Sequence, residues 1–193
     1  HLKKDAGLEY DRVKWRNRRG RLEASLQILY ENSYRNEESL VRPDLWWKQR
    51  ESITRNLIYK KRYKTAYKVS SEHSLSSGPD FAEAEWLSGW IALTFLKSPE
   101  YAINHFLNFY DNVGYPISLA RGAYWLGKSY KDLDNEELSN QYFKEGAKFL
   151  TTYYGQLSFN EINRGGDYLL VDQSSYSKEY EKEFNKNKLV NLV

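Results

Sequence analysis

Between Pro79 and Lys97 apolar residues fall at Phe81, Ala84, Leu87, Trp90, Ile91, Phe95 and Leu96. A recurrence every three or four residues predicts a helix with one buried stripe. Ser98 and Pro99 end it, and the same step opens the next helix, with Ser98 as N-cap and Pro99 at the first position. That helix runs through Ala102, Phe106, Leu107 and Phe109, and so short a join requires the pair to pack antiparallel. The pattern repeats from Pro116. Ile117, Ala120, Ala123, Tyr124, Leu126, Gly127 and Tyr130 form one face, residues 132–135 a turn, and Leu138, Tyr142, Phe143, Ala147 and Phe149 the next face.

Ala92 and Gly127 stand 35 residues apart at matching places in the two hairpins. A period near 34 with a small residue where helices touch is the mark of tetratricopeptide-like stacking. Leu126, Gly127 and Tyr130, then Ser139, Phe143 and Gly146, follow that repeat's alternation of small and large positions. Upstream, helical stretches over 6–16, 21–31, 44–60 and 63–71 read as two further hairpins, broken by Gly20, by the polar stretch 32–39 and by Pro43. Another helix is expected over 151–163, then a glycine-containing loop over 164–175 and a polar helix over 178–193. No long period-two alternation suggests a sheet. The expected fold is an all-α superhelical solenoid of antiparallel helix pairs over 1–163, with 164–193 leading toward a further C-terminal region.

Composition narrows the picture modestly. The longest nearly apolar run, Trp86 to Leu96, is far short of the roughly 20 residues that cross a bilayer, so no transmembrane segment is expected. His1 precedes Leu2, Lys3, Lys4 and Asp5 rather than an apolar signal core. There is no Cys, which excludes disulfides and thiolate metal sites, and no Met, which reads as a stretch of a longer reading frame. Residues 1–72 hold 18 Lys and Arg against 10 Asp and Glu, while the remainder hold 11 against 16. A basic end could attract a negatively charged polymer. The simpler reading is that these residues solvate outer helix faces, and no nucleic-acid partner is expected.

Three words in order carry more information than the rhythm: AEAEWLSGWIAL over 82–93, YPISLARGAYWLGKSY over 115–130 and FLTTYYGQLS over 149–158. Together they resemble the superhelical domain of the soluble lytic murein transglycosylases. The resemblance implies a Gram-negative periplasmic enzyme in which a ring or horseshoe of helices supports a C-terminal lysozyme-like domain. There one Glu acts as acid and then base while the sugar's own 6-hydroxyl closes a 1,6-anhydro ring, so a pair of carboxylates is not required. It also implies two partners, peptidoglycan glycan strands and the protein's own catalytic domain, and no cofactor. The family's catalytic word, Gln-Glu-Ser followed by Gly-Leu-Met-Gln, is missing. Gln49, Arg50, Glu51 and Ser52 imitate its first half, but residues 53–61 continue a helix, and a chain without Met cannot hold the second half. The catalytic Glu is therefore expected beyond Val193, and this stretch is expected to be inactive, with no catalytic residue of its own.

Candidate residues follow from both readings. Aromatics make up 16% of the chain, and flat sugar faces stack on rings, yet Trp86, Trp90, Tyr124 and Trp125 have core spacing. Trp46 and Trp47 point about 100° apart on a helix, so one of them is a candidate glycan contact. Glu83, Glu85 and Arg121 interrupt apolar words, and a bridge from Arg121 to Glu85, with Glu83 as the other possible acid, is expected between stacked hairpins. Gly155 costs a helix about 1 kcal/mol relative to Ala, which points to a close approach of something to the backbone. By resemblance Tyr153, Tyr154 and Gln156 line the glycan path or the surface facing the catalytic domain. His1, His73 and His105 are too scattered to suggest a metal site. The rival reading is a free-standing tetratricopeptide-like adaptor that binds a protein or peptide in its groove.

Overall fold

The computed structural model describes residues 5–33 and 36–163, together with 165, 182 and 184–186. The loop and polar helix expected over 164–193 lie almost wholly outside the described residues, as does His1. Helices follow one another as α1 (Ala6–Arg18), α2 (Leu22–Glu31), α3 (Glu37–Leu40), α4 (Pro43–Tyr59), α5 (Tyr63–Ser71) and α6 (Gly78–Ile91), which runs on into a π turn (Ala92–Leu96). Then come α7 (Pro99–Asp111), α8 (Pro116–Lys131), α9 (Glu136–Ala147) and α10 (Tyr153–Ile162). There is no strand among the described residues. The polar stretch read as a break holds the single helical turn α3, which Asn36 caps by accepting from the Ser39 N–H.

Helix starts follow the local chemistry. Asp5, Asn135 and Thr152 accept from the N–H groups of Leu8, Leu138 and Gly155, satisfying donors that the first turn leaves open. Pro43, Pro99 and Pro116 sit at first positions, where a missing N–H costs nothing. Ser98 does occupy the N-cap position of α7, but its hydroxyl donates to the Leu96 carbonyl instead.

The hairpin turns repeat one device. The chain turns left-handed at Gly20, Lys61, Lys97 and Asp134, and the following residue's N–H reaches back to a carbonyl in the last helical turn. The bonds run from Arg21 to Arg16, Arg62 to Leu57 and Asn135 to Tyr130, each spanning five residues. At the third turn the bond runs from Ser98 to Ala92 and spans six. The added residue is the one that the π turn inserts. Helices on either side of each turn pack on one another, α1 with α2, α4 with α5, α6 with α7 and α8 with α9, and α10 closes on α8 and α9. Between pairs, α4 touches α1 and α6, α5 touches α2 and α6, and α7 touches α8.

Small residues set the spacing within the later pairs. A Cβ on Gly127 would lie 2.7 Å from the Phe143 ring, and one on Gly89 would lie 2.8 Å from the Phe106 ring. Gly89, not Ala92, is thus the packing equivalent of Gly127; Ala92 has been carried into the π turn. The two apolar clusters, one around Trp46, Trp47, Ile53 and Leu87 and one around Ala102, Phe106 and Leu126, are joined by Tyr67, Trp86 and Trp90, which pack against both.

A Gly127→Val substitution is expected to cost about 2 kcal/mol by overpacking Phe143, and Phe143→Leu in the same chain should restore part of the loss. Urea denaturation of the single and double variants measures it; equal stability of Gly127→Val and wild type would refute the close contact.

Candidate functional site

The three words lie on α6, α8 and α10, and their aromatics meet. Trp86 and Trp90, four residues apart on α6, share a helix face and stack with centroids 6.0 Å apart. Trp86 meets Trp125 of α8 at 6.1 Å, and Trp125 meets Tyr154 of α10 at 6.5 Å. Tyr154 also contacts Tyr124 at 5.5 Å and Tyr153 at 5.2 Å. In the other direction Trp90 meets Phe95 edge-on at 5.1 Å, and Phe95 stacks flat on Tyr63 of α5 at 4.2 Å. The result is an unbroken line of rings from Tyr63 to Tyr153. Trp86, Trp90, Tyr124, Trp125 and Tyr154 were expected to be core by spacing or placed at a surface by resemblance; all five are half-buried, and the indole N–H groups of Trp86 and Trp125 are themselves buried.

Arg121 lies over the Trp86 ring, its guanidinium carbon 3.5 Å from the centroid. Its ion partner is Glu83, at 3.4 Å, and not Glu85. Two residues of helix turn side chains about 200° apart, so when Glu83 faces Arg121 on α8 and Arg55 on α4, Glu85 faces the other way. The Glu83 pairs are partly exposed and contribute little; stacking on Trp86 is the firmer hold on Arg121.

Glu85 is buried, and the two histidines that looked scattered converge on it. His105 Nδ1 on α7 lies 2.6 Å from Glu85 Oε2, and His73 Nε2, in the loop after α5, lies 3.1 Å from Oε1. Hydrogen-bond logic sets the tautomers. His73 Nδ1 accepts from the Leu75 N–H at 3.0 Å, so its Nε2–H donates to Glu85. Tyr67, whose phenol burial keeps protonated, stands 3.0 Å from His105 Nε2 and donates there, leaving Nδ1–H for Glu85. Burial pushes the Glu85 carboxyl up, but the hydrogen bonds and attraction of His105 and His73 outweigh it and hold the pKa at about 2. Tyr67, His73, Glu85 and His105 therefore tie α5, α6 and α7 together around one buried negative charge. Nothing in the sequence spacing signals this meeting, because its members come from three separate elements.

Neither Trp46 nor Trp47 is available to a ligand: each is 1% exposed. Trp46 packs edge-on against Tyr10 of α1, and Trp47 against His73. Helix α4 has partners on both sides, so adjacent positions that diverge by about 100° are both covered. In the imitation of the catalytic word, Arg50 is buried. It donates to the carbonyls of Val69 and Leu29, near the C-terminal ends of α5 and α2 where partial negative charge collects. Burial pulls its pKa down to about 10, against the attraction of Glu72 and Tyr30. Glu51 is paired with Arg55 at 2.8 Å on the surface side of α4.

At α10 the glycine has a local cause: any Cβ on Gly155 would collide with the Phe149 carbonyl, where the chain folds back before the helix. Gln156 donates to the Leu150 carbonyl at 3.1 Å and is exposed, Tyr153 is 68% exposed, and Tyr154 continues the line of rings. Among the described residues no group of three or more His, Cys, Asp or Glu is arranged to hold a metal ion, and no helix is long and apolar enough to cross a membrane.

The chain is thus an all-helical protein of packed helix pairs with a line of half-open aromatics across α5, α6, α8 and α10. No protein-family model, curated protein or solved structure matches it.

The depressed Glu85 pKa makes the network stabilising above the unfolded value of 4.5, and that contribution is lost as pH falls toward 2. Glu85→Gln should cost on the order of 2 kcal/mol at pH 7, and the gap to wild type should close by about pH 2. Denaturation curves of both proteins across that range check it; a gap independent of pH would exclude an ionised Glu85 as the cause.

Proposed function

We propose that this chain is the non-catalytic superhelical domain of a periplasmic lytic transglycosylase, a tetratricopeptide-like solenoid that positions peptidoglycan strands, or the catalytic domain that cuts them. One observation carries the reading. The three words that resemble the family lie far apart in sequence, on α6, α8 and α10, and their rings form one continuous half-open line. Sugar rings pack against aromatic side chains, Tyr153 at the end of the line is exposed, and Arg121 on Trp86 adds a charged donor beside the partly exposed rings. The solenoid part of the reading is supported by the hairpin turn that recurs at Gly20, Lys61, Lys97 and Asp134, and by the paired glycine-to-phenylalanine contacts.

On this reading Tyr153, Tyr154 and Gln156, on α10, face the glycan path or the catalytic domain. The chemistry belongs to that domain. Within this chain Glu51 is held by Arg55 and Glu85 by two histidines, and neither carboxyl is placed to lend a proton to a glycosidic oxygen.

Co-sedimentation with purified murein sacculi, beside a zymogram on the same substrate, tests the proposal. Binding without clearing is expected, and Tyr153→Ala with Tyr154→Ala should weaken binding by about tenfold while the circular dichroism stays unchanged. Absence from the sacculus pellet would favour the free-standing adaptor, and clearing by this chain alone would contradict its non-catalytic role.

A further inference from the structure

The line of rings ends in a groove whose charge it does not explain. Between the start of α5 and the π turn is a groove of about 620 Å³, whose lining includes Lys61, Arg62 and Lys64 together with Tyr63, Phe95 and Leu96. No acidic residue lines it. Arg62 is already engaged by both carboxylate oxygens of Glu23. Lys61 and Lys64 are exposed and have no ion pair among the described residues. Lys97, next to the lining residues Leu96 and Ser98, adds a third exposed amine at the rim.

The geometry of the turns puts these amines together. Lys61 and Lys97 are the left-handed residues of two successive hairpin turns, where an L-residue is less comfortable than Gly. Phe95, within the π turn, stacks on Tyr63 at 4.2 Å, and the pair gives the groove an aromatic wall. The first-turn N–H groups of Tyr63, Lys64 and Thr65 have no backbone acceptor within the helix and lend further positive potential. Cations at a rim above an aromatic and aliphatic wall complement a short segment that alternates carboxylates with small apolar side chains. A nucleic-acid strand would ask for a longer track of cations following a backbone.

We propose that this groove binds a short carboxylate-bearing peptide, with Lys61 and Lys64 pairing its carboxylates and the Tyr63–Phe95 wall packing against its apolar groups. Its natural source rests on the murein reading: the stem peptide hanging from a glycan strand whose sugars lie along the aromatic line.

Calorimetric titration with a soluble murein disaccharide-tetrapeptide, with the bare disaccharide and with a free tetrapeptide of alanine and glutamate separates the two ideas. Wild type should bind both peptide-bearing ligands, and raising salt from about 50 to 500 mM should weaken both. Lys61→Glu with Lys64→Glu should lower those affinities by about tenfold or more, while Lys48→Glu with Lys144→Glu, an equal change of charge elsewhere, should leave them unchanged. Binding of the free peptide alone would keep the groove and remove murein as its source. Binding of the bare disaccharide as tightly as the peptide-bearing one, with neither variant altered, would leave the glycan platform standing and overturn the groove. Failure of wild type to bind either peptide would overturn it as well.

Discussion

A phenylalanine ring laid directly on a helix backbone sets how closely the later helices approach. Phe106 lies over Gly89 and Phe143 over Gly127, each at a distance that leaves no room for a methyl group. Interiors are packed densely enough that such a contact behaves as a spacer rather than a cushion. Because α7 lies close on α6 and then on α8, Trp86 of α6 can reach Trp125 of α8 although Phe106 of α7 stacks beneath the same Trp125. The close approach of α7 to α6 thus depends on the absence of a side chain at Gly89.

The polar interior follows from the same closeness. Helices that approach this tightly bury Glu85, and a buried carboxylate persists only with donors close by. His73 and His105 supply them from the flanking elements, and Tyr67 and the Leu75 N–H complete their second nitrogens. Arg50 is the counterpart in the N-terminal half, where helix carbonyl ends take the place of a carboxylate. The structure therefore has a buried anion between α5, α6 and α7 and a buried cation among α2, α4 and α5, not paired with each other, and the cation keeps its Nε–H without an acceptor.

The π turn links packing to surface chemistry. It adds one residue between Gly89 and Phe106 compared with Gly127 and Phe143, and the hairpin keeps its glycine contact. Phe95, within this turn, stacks on Tyr63, and the joint between the two hairpins holds a groove with Lys61 and Lys64 in its lining. π turns in other proteins often accompany functional sites.

Much of the fold was legible along the chain, because apolar periodicity, proline at helix starts and polar turns act over a few residues. Among the described residues α1 to α10, apart from the one-turn α3, lie where the rhythm put them, with most ends displaced by a residue or two. The register of the repeat was less legible: Ala92 looked like the partner of Gly127 since both are small, and an inserted residue is invisible until the backbone is traced. The candidate site divides in the same way. The words on α6, α8 and α10 could be read, and so could a reason for Gly155, whereas the burial of both Trp46 and Trp47, the choice of Glu83 over Glu85 by Arg121 and the meeting of His73 with His105 could not. By itself the sequence determined which segments coil and which face of each is apolar, since those are properties of neighbours in the chain. Which charges meet, which aromatics stay half open and where cations gather around a groove were decided by tertiary structure alone, because each depends on side chains from different helices brought within a few ångströms.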